Sequence, residues 1–574
     1  MTIDEFDAES ALADISRKMS NVSIHKSSSK DDHVDKSSLA HVRNLLYSSD
    51  KKKVKESVRK LRRYLTQGHS GENDVDDILN LNVLPLIKDL LQYDPSSSTK
   101  FECAWIATNI AAGTSEQTSA LIKAGFVDLL LNCMSDKDSS LDLVAQAAWA
   151  LGNIAGEASA FREQLMAKNF TNYIVNALNT VYDELYDEAS ESLRSNGKMT
   201  FSCRDYQSNI EALLWALSNM SRGGFCVAEY YLNYIAMFDV LSKYILFNYP
   251  KFEIEICWGL SRVLYNMHKV TLFHENAVFT DVLFTRLVEL LRVGNTDIVT
   301  PVIRTIVNIS CGPNESVVGL LHTRLLESIT RLLDPQAPTT IRKDAYLVVS
   351  NLAAGTPEMI KHVVEHKVVL TYVVSHISVP GYTYSTAEWV PTLYNPAYDI
   401  YDEWKVTKEA IWIISNIISL GNNSSVKDLL NDHPNLKEAL VALLNYDGIP
   451  LDNCEKAIES LISLIQRTNK WTTFGKNEHV RALVNLGIES SLANVQRIHP
   501  ISRVKDMCSK LKNLLLASDE DLVQTVKISS SMESAFGLPT VNEIKSRSSK
   551  RRVIHSFEDG DIRLISNAVN NMNI

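Results

Sequence analysis

Residues 101–118 read FECAWIATNIAAGTSEQT. In this stretch Trp105 and Asn109 stand four residues apart in an alanine-rich run without proline, which ends in the small residues Ala-Ala-Gly. Residues four apart on a helix share one face, so the pair presents an indole and a carboxamide to the same surface. The pair returns as Trp149/Asn153 in AQAAWALGNIAGEAS (145–159), Trp215/Asn219 in LLWALSNMSRG (213–223) and Trp412/Asn416 in KEAIWIISNIISLG (408–421). Between these, Trp258 is followed by Arg262, while Arg304/Asn308 and Leu347/Asn351 keep only the asparagine. The Trp-equivalent positions run 105, 149, 215, 258, 304, 347 and 412. Most intervals are 43 to 46 residues, and the two long ones, 66 and 65, equal one interval plus about 22. A fixed period of this length is the mark of a helical repeat array, here with two insertions.

At 574 residues the chain is too long for one ordinary compact domain. A repeat array escapes that limit because each repeat buries its core against its neighbours. Only 21 Gly and 15 Pro favour helix over sheet. Apolar runs such as Ala410–Leu420 are too short to span a bilayer, and that one holds Asn416. The acidic start MTIDEFDAESALADISRK has no signal-peptide apolar region, so no membrane partner is expected. Eight cysteines lack paired spacing; Cys103, Cys257 and Cys311 fall in helix-like apolar segments and read as reduced intracellular thiols. A net charge of −10 argues against general nucleic-acid binding and fits either a receptor for basic partners or simple solubility.

Composition divides the chain into three parts. Residues 1–40 are polar and expected to be largely disordered. The array is expected over 41–516, with insertions near 183–207 and 379–406. A tail, 517–574, carries the basic run 545–552. The second insertion, VPGYTYSTAEWVPTLYNPAYDIYDEWKV, holds three prolines, which exclude one continuous helix. Its aromatics, Trp389 and Trp404 among them, are expected to pack on the array. Gly113, Gly156 and Gly312 fall where helix C-caps are expected.

A row of Trp/Asn pairs has a definite chemistry. Each asparagine offers one acceptor and two donors, enough to hold the backbone of an extended peptide whatever its side chains. Gaps between indoles accept the aliphatic stem of Lys or Arg, and the cationic head favours the aromatic face. Carboxylates at the rim would then select for cations. Glu102, Glu255, Asp344 and Glu409 stand three residues before a Trp position, and Glu157 follows Gly156. A hydrophobic core alone does not require asparagine at the fourth position each time.

These segments resemble the third helices and following turns of importin-α armadillo repeats, over roughly residues 40–515. The resemblance implies an all-α, right-handed superhelical solenoid of about ten armadillo repeats. It implies a nuclear import adaptor that binds nuclear localisation signals along its concave face, without cofactor, in cytoplasm and nucleus. Trp105, Asn109, Trp149, Asn153, Trp215 and Asn219 would line the major signal site, with Gly113, Thr118 and Glu157 forming its principal lysine pocket. Trp258, Arg304, Asn308, Asn351, Glu409, Trp412 and Asn416 match the minor site. The family has Asp at the position of Glu157 and a minor-site Trp at the position of Leu347. Importin-β and an export receptor are the implied carriers. Residues 1–40, however, carry only scattered Arg17, Lys18, Lys26, Lys30 and Lys36, where the family has dense basic clusters. The basic run Lys51–Arg63 falls on the first repeat's helix and is read as a solvated helix face. The tail run 545–552 is itself signal-like; it could reach the groove in cis, be read in trans, or serve solubility.

Three other classes compete with this reading. The sequence His362-Val-Val-Glu365-His366 matches an inverted zinc-protease pattern, but it has no identifiable third ligand, and no enzyme is expected. Armadillo scaffolds that bind acidic tails line their grooves with Lys and Arg rather than Trp, Asn and carboxylates. A retention or assembly chaperone that binds basic segments without ferrying them remains an alternative.

Overall fold

The computed structural model describes residues 34–67, 74–196, 205–385, 388–391, 400–471 and 477–520. The chain forms an all-α solenoid in two compact units, divided between Val278 and Phe279. Among the described residues, no helix is long and apolar enough to cross a membrane.

In the first unit the Trp/Asn row lies on α2 (Ser97–Ala111), α3 (Leu141–Glu157), α5 (Gln207–Met220) and α6 (Pro250–Met267), with α1 (Lys51–Thr66) before it and α4 (Phe170–Asn196) flanking it. Local chemistry sets their starts. Asp50 accepts from Lys52 N at 2.9 Å to begin α1, and Ser140 accepts from Leu143 N at 3.4 Å to begin α3. After α2, Thr114 and Gln117 form a reciprocal capping box for helix Ser115–Lys123. α1, α2, α3, α5 and α6 each pack on the next. α3 is buried almost all round, from Leu143 to Ala155, as befits a central helix between two others.

Gly152 shows how close α3 and α5 lie. A Cβ built there would stand 2.7 Å from Ala216 Cα and 2.9 Å from its Cβ, leaving no room for a methyl group. Gly152→Ala should therefore overpack the interface and cost about 1–3 kcal/mol, despite alanine's better helix propensity. Urea unfolding followed by far-UV circular dichroism reads this as a lower midpoint; an unchanged or raised midpoint would refute the close packing.

The second unit repeats the plan with α7 (Thr296–Ser310), α8 (Thr339–Ala353), α9 (Ile400–Leu420), α10 (Leu451–Asn469) and α11 (Ser502–Glu520), each packed on the next. Its insertion forms a hairpin, β1 (Tyr382–Ser385) antiparallel to β2 (Glu388–Pro391), in the register Tyr384 opposite Trp389. The hairpin's aromatics pack on the array. Trp389 Nε1 donates to Ala442 O at 3.0 Å, and Tyr382 lies against Tyr446 with ring centroids 5.5 Å apart.

Helix begins at Leu39, close to the expected start of the array, with Leu39 and Val42 buried because apolar residues there reach α1. Other boundaries differ from the sequence reading. The first insertion continues α4 to Asn196, since Leu185 and Ala189 prolong its buried stripe. α11 runs to Glu520, past the expected start of the tail. Gly156 lies inside α3 rather than at its end; Gly113 and Gly312 do follow C-cap residues, Ala112 and Cys311. Residues 1–33 and the tail from 521, with the basic run 545–552, lie outside the described residues.

Burial gives the fold a pH dependence. It lowers the pKa of His268 in the first unit and of His376, His433 and His479 in the second. A histidine kept neutral by folding supplies stability above its unfolded pKa of about 6.5, and that stability is lost as pH falls through the folded value. The urea midpoint should therefore be lower at pH 5.5 than at pH 7.5, and His376→Gln should flatten the second unit's share of the slope. An equally steep slope in that variant would remove His376 from the account.

Candidate functional site

The Trp/Asn row falls on helices that pack side by side, and its asparagines bind those helices to one another. Asn153 Nδ2 donates to Thr108 O at 3.3 Å, and Asn219 Nδ2 to Gly152 O at 3.1 Å. In the second unit Asn416 Nδ2 donates to Ser350 O at 3.4 Å. Each acceptor is the carbonyl one residue before the asparagine of the preceding repeat. Arg262, which replaces an asparagine, keeps the same rung, since its Nη1 donates to Ser218 O at 3.0 Å. Asn351 varies it, donating to Ser310 Oγ at 2.9 Å and to Cys311 Sγ at 3.2 Å. The carboxamides expected to hold a ligand's backbone thus hold the repeats in register first. Asn109 heads the row, and its buried Nδ2 has no hydrogen-bond partner among the described residues.

The indoles are less open than the sequence suggests. Trp149 and Trp215 are only 8% and 4% exposed, and Trp215 Nε1 donates to Asn153 Oδ1 at 2.9 Å. Trp105 is half-buried, with the Arg62 guanidinium 4.3 Å from its ring centroid. The Arg262 guanidinium lies 5.2 Å from the centroid of Trp258, and Lys456 Nζ lies 3.7 Å from that of Trp412. The protein's own cations therefore occupy faces that a ligand's lysine would seek.

The expected rim carboxylates are a correction. Glu102, Glu255, Asp344 and Glu409 are all buried, because a position three before the Trp turns toward the neighbouring repeat. Glu102 receives Arg62 Nε at 2.8 Å and Arg59 Nε at 3.4 Å. Asp344 receives Arg304 Nε at 3.4 Å. Arg62–Glu102 and Arg304–Asp344 span the same 40 residues, so one cation–acid device is used in both units. Burial pushes the Glu255 carboxyl up, opposed by Arg262 and by a hydrogen bond from Ser218. Glu409 Oε2 is buried without a hydrogen-bond partner among the described residues.

Of the expected lysine pocket, Gly113 and Glu157 are exposed, and Glu157 accepts a hydrogen bond from Ser115 Oγ. Thr118 is fully buried, its Oγ1 donating to Ala111 O at 3.4 Å, so it is not presented at the surface. Of the expected minor site, Asn308 is buried and Leu347 fills the Trp position within the core. Trp412 and Asn416 line a cleft of about 750 Å³ with Lys456, Arg467, Lys470 and Trp471. The zinc-like pattern has local roles instead: His366 Nδ1 accepts from Val369 N at 3.4 Å to cap a helix, and Glu365 pairs with Lys361 at 3.5 Å. Among the described residues, no group of three or more His, Cys, Asp or Glu side chains is placed to hold a metal.

The sequence reading missed Arg62 and Lys456 as members of the row. The signal was present: Arg62 stands 43 residues before Trp105, and Lys456 stands 44 after Trp412. One more period in each direction reaches a cation at the Trp position, as at Arg304.

Comparison with known proteins agrees with an armadillo array. The armadillo/beta-catenin-like repeat family matches residues 114–156. Importin subunit alpha-1b of Oryza sativa subsp. japonica is 28% identical over 274 residues, 47% of this chain and 45% of the relative. Importin subunit alpha-9 of Arabidopsis thaliana is 28% identical over 314 residues, 53% of each chain. The probable importin subunit alpha-A of Dictyostelium discoideum is 27% identical over 241 residues. The chain is an importin-α-like armadillo-repeat protein. It spans about half the length of the curated relatives it matches. A crystal structure of an engineered protein shares the fold, with a TM-score of 0.61 at 20% identity, covering 84% of this chain and 99% of the other. In this importin-α-like chain the asparagine rungs and the cations on the indoles sit together on the same packed helices.

Proposed function

We propose that this protein binds Lys/Arg-rich nuclear localisation signals in extended form along the first unit's row and serves as a nuclear import adaptor between cytoplasm and nucleus. One observation carries the reading: three Trp/Asn pairs sit on the consecutively packed helices α2, α3 and α5 in a single register fixed by their own rungs. Gly113 and Glu157 are exposed at the ends of the helices that carry Trp105 and Trp149, where Glu157 offers a carboxylate to a lysine head. The likeness to importin subunits alpha points the same way. Importin-β and an export receptor are the carriers this reading calls for. Helix α1 is not proposed as the importin-β-binding segment, because Val54, Val58, Leu61 and Tyr64 tie it into the first repeat.

The test is fluorescence anisotropy of a labelled Lys-rich signal peptide, with the same peptide carrying Thr at its key lysine as control. Binding at micromolar concentration or tighter, lost in the control, is expected. Trp149→Ala should weaken it at least tenfold, since truncating an aromatic anchor costs about 2 kcal/mol or more. Trp389→Ala, on the hairpin of the other unit, should not. Equal effects would remove the row from the explanation. Chain lacking residues 540–574 should be titrated in parallel; if only that form binds, the tail occupies the groove in the full chain.

A further inference from the structure

The head of the row differs from the rest in charge. Helix α1, KKKVKESVRKLRRYLT, carries eight Lys and Arg residues against one Glu. Lys55, Arg59 and Arg62 follow the spacing of one helix face, and all three reach α2. Lys55 Nζ donates to Ser98 Oγ at 2.6 Å, while Arg59 and Arg62 converge on Glu102. Glu56 lies 3.5 Å from Arg59, so two carboxylates, Glu56 and Glu102, face three cations. Lys52 and Lys53 are exposed at the start of the same helix. Arg62 also covers Trp105 at 4.3 Å, the face that would otherwise receive a ligand's lysine.

A basic side chain arriving here meets excess positive charge and an indole already stacked. An acidic side chain meets unbalanced cations held on a rigid helix. We propose that the edge between α1 and α2 docks an acidic stretch of the bound segment, adjoining the basic stretch that lies toward Trp149 and Trp215. The partner is then a mixed segment, a short Lys/Arg core with Asp or Glu on one side. This rests on the signal-binding reading above and adds a charge rule to it. Arg62 is the residue that sets the rule, because it closes the first indole and supplies charge in the same place.

Three labelled peptides test the inference with the full chain: a Lys-rich core alone, the core preceded by four Asp, and the core followed by four Asp. The intact protein should bind one of the Asp-bearing peptides about tenfold more tightly than the core, and the other no better. Lys55→Glu, a change on a half-exposed side chain, should erase that preference while leaving the core's affinity within about twofold. Arg62→Leu should erase it too, and should raise affinity for a core lengthened by two lysines. Circular dichroism verifies that both variants fold. Equal affinity for all three peptides, or a preference that survives both variants, overturns the acidic dock and leaves signal binding intact. No binding of any peptide overturns both readings. Tighter binding of a single-stranded oligonucleotide than of either Asp-bearing peptide assigns the edge to nucleic acid and overturns the proposal.

Discussion

Arg342→Met should destabilise the second unit by about 3–5 kcal/mol, the largest effect expected of a charged side chain in this protein. Arg342 is 1% exposed, and its guanidinium joins the start of α8 and the turn before it to the first turn of α9. Its Nη2 bonds the buried Glu403 carboxylate and Thr339 Oγ1, and its Nη1 donates to Pro335 O at 2.9 Å. Thr339 Oγ1 donates to the same Glu403 oxygen at 2.8 Å. Methionine fills much of the space but leaves a carboxylate out of water with one hydroxyl for company. The cost comes from that stranded charge, so removing it as well should restore most of the loss. Arg342→Met/Glu403→Met is therefore expected within about 1 kcal/mol of the natural protein, since apolar replacement of a buried pair is often near neutral. Urea unfolding of the natural protein, both single variants and the double variant checks this. Additive losses in the double variant would show that the two side chains do not act as a pair.

Trp215→Ala is expected to be equally severe in the first unit. The indole is 4% exposed between α3 and α6, so its removal leaves a cavity worth about 3–5 kcal/mol. It also takes the donor from Asn153 Oδ1, one end of a rung. Trp215→Phe separates the two effects: it keeps most of the apolar volume, loses the N–H, and should cost about 1–2 kcal/mol. Basic-peptide affinity should fall in both variants, more in alanine. Because the chain holds two units, the loss must be read from the first unit's own transition rather than from one fitted midpoint. If Trp215→Ala unfolds at the natural midpoint, the indole is a surface wall rather than a core member.

The repeat was legible because periodicity survives whatever else a sequence does. Trp105, Trp149, Trp215 and Trp412 announce the helices on which they lie, and the asparagine four residues on confirms the face. The partners of those side chains were not legible, because they come from the neighbouring repeat. Nothing local in Glu102 says that it turns inward to Arg62 across 40 residues of chain, and nothing local in Asn219 says that Gly152 O is its acceptor. Thr118 misled for the same reason: a threonine beside an exposed turn can point either way, and packing sent it inward. Arg62 and Lys456 were within reach of the sequence, but a search for tryptophan passes over a cation standing in tryptophan's place.

The rungs also govern what the chain tolerates between repeats. Asn153 reaches Thr108 across 45 residues and Arg262 reaches Ser218 across 44, yet Asn219 reaches Gly152 across 67 and Asn416 reaches Ser350 across 66. The bond is the same whether or not some two dozen extra residues loop out in between. Alignment of the helices is thus decoupled from spacing along the polypeptide, and a lineage can add, exchange or discard whole surface modules without disturbing the ruler beneath them. The long α4 and the β1–β2 hairpin occupy the two places where that freedom has been taken, which makes them natural seats for grafting foreign loops onto this scaffold.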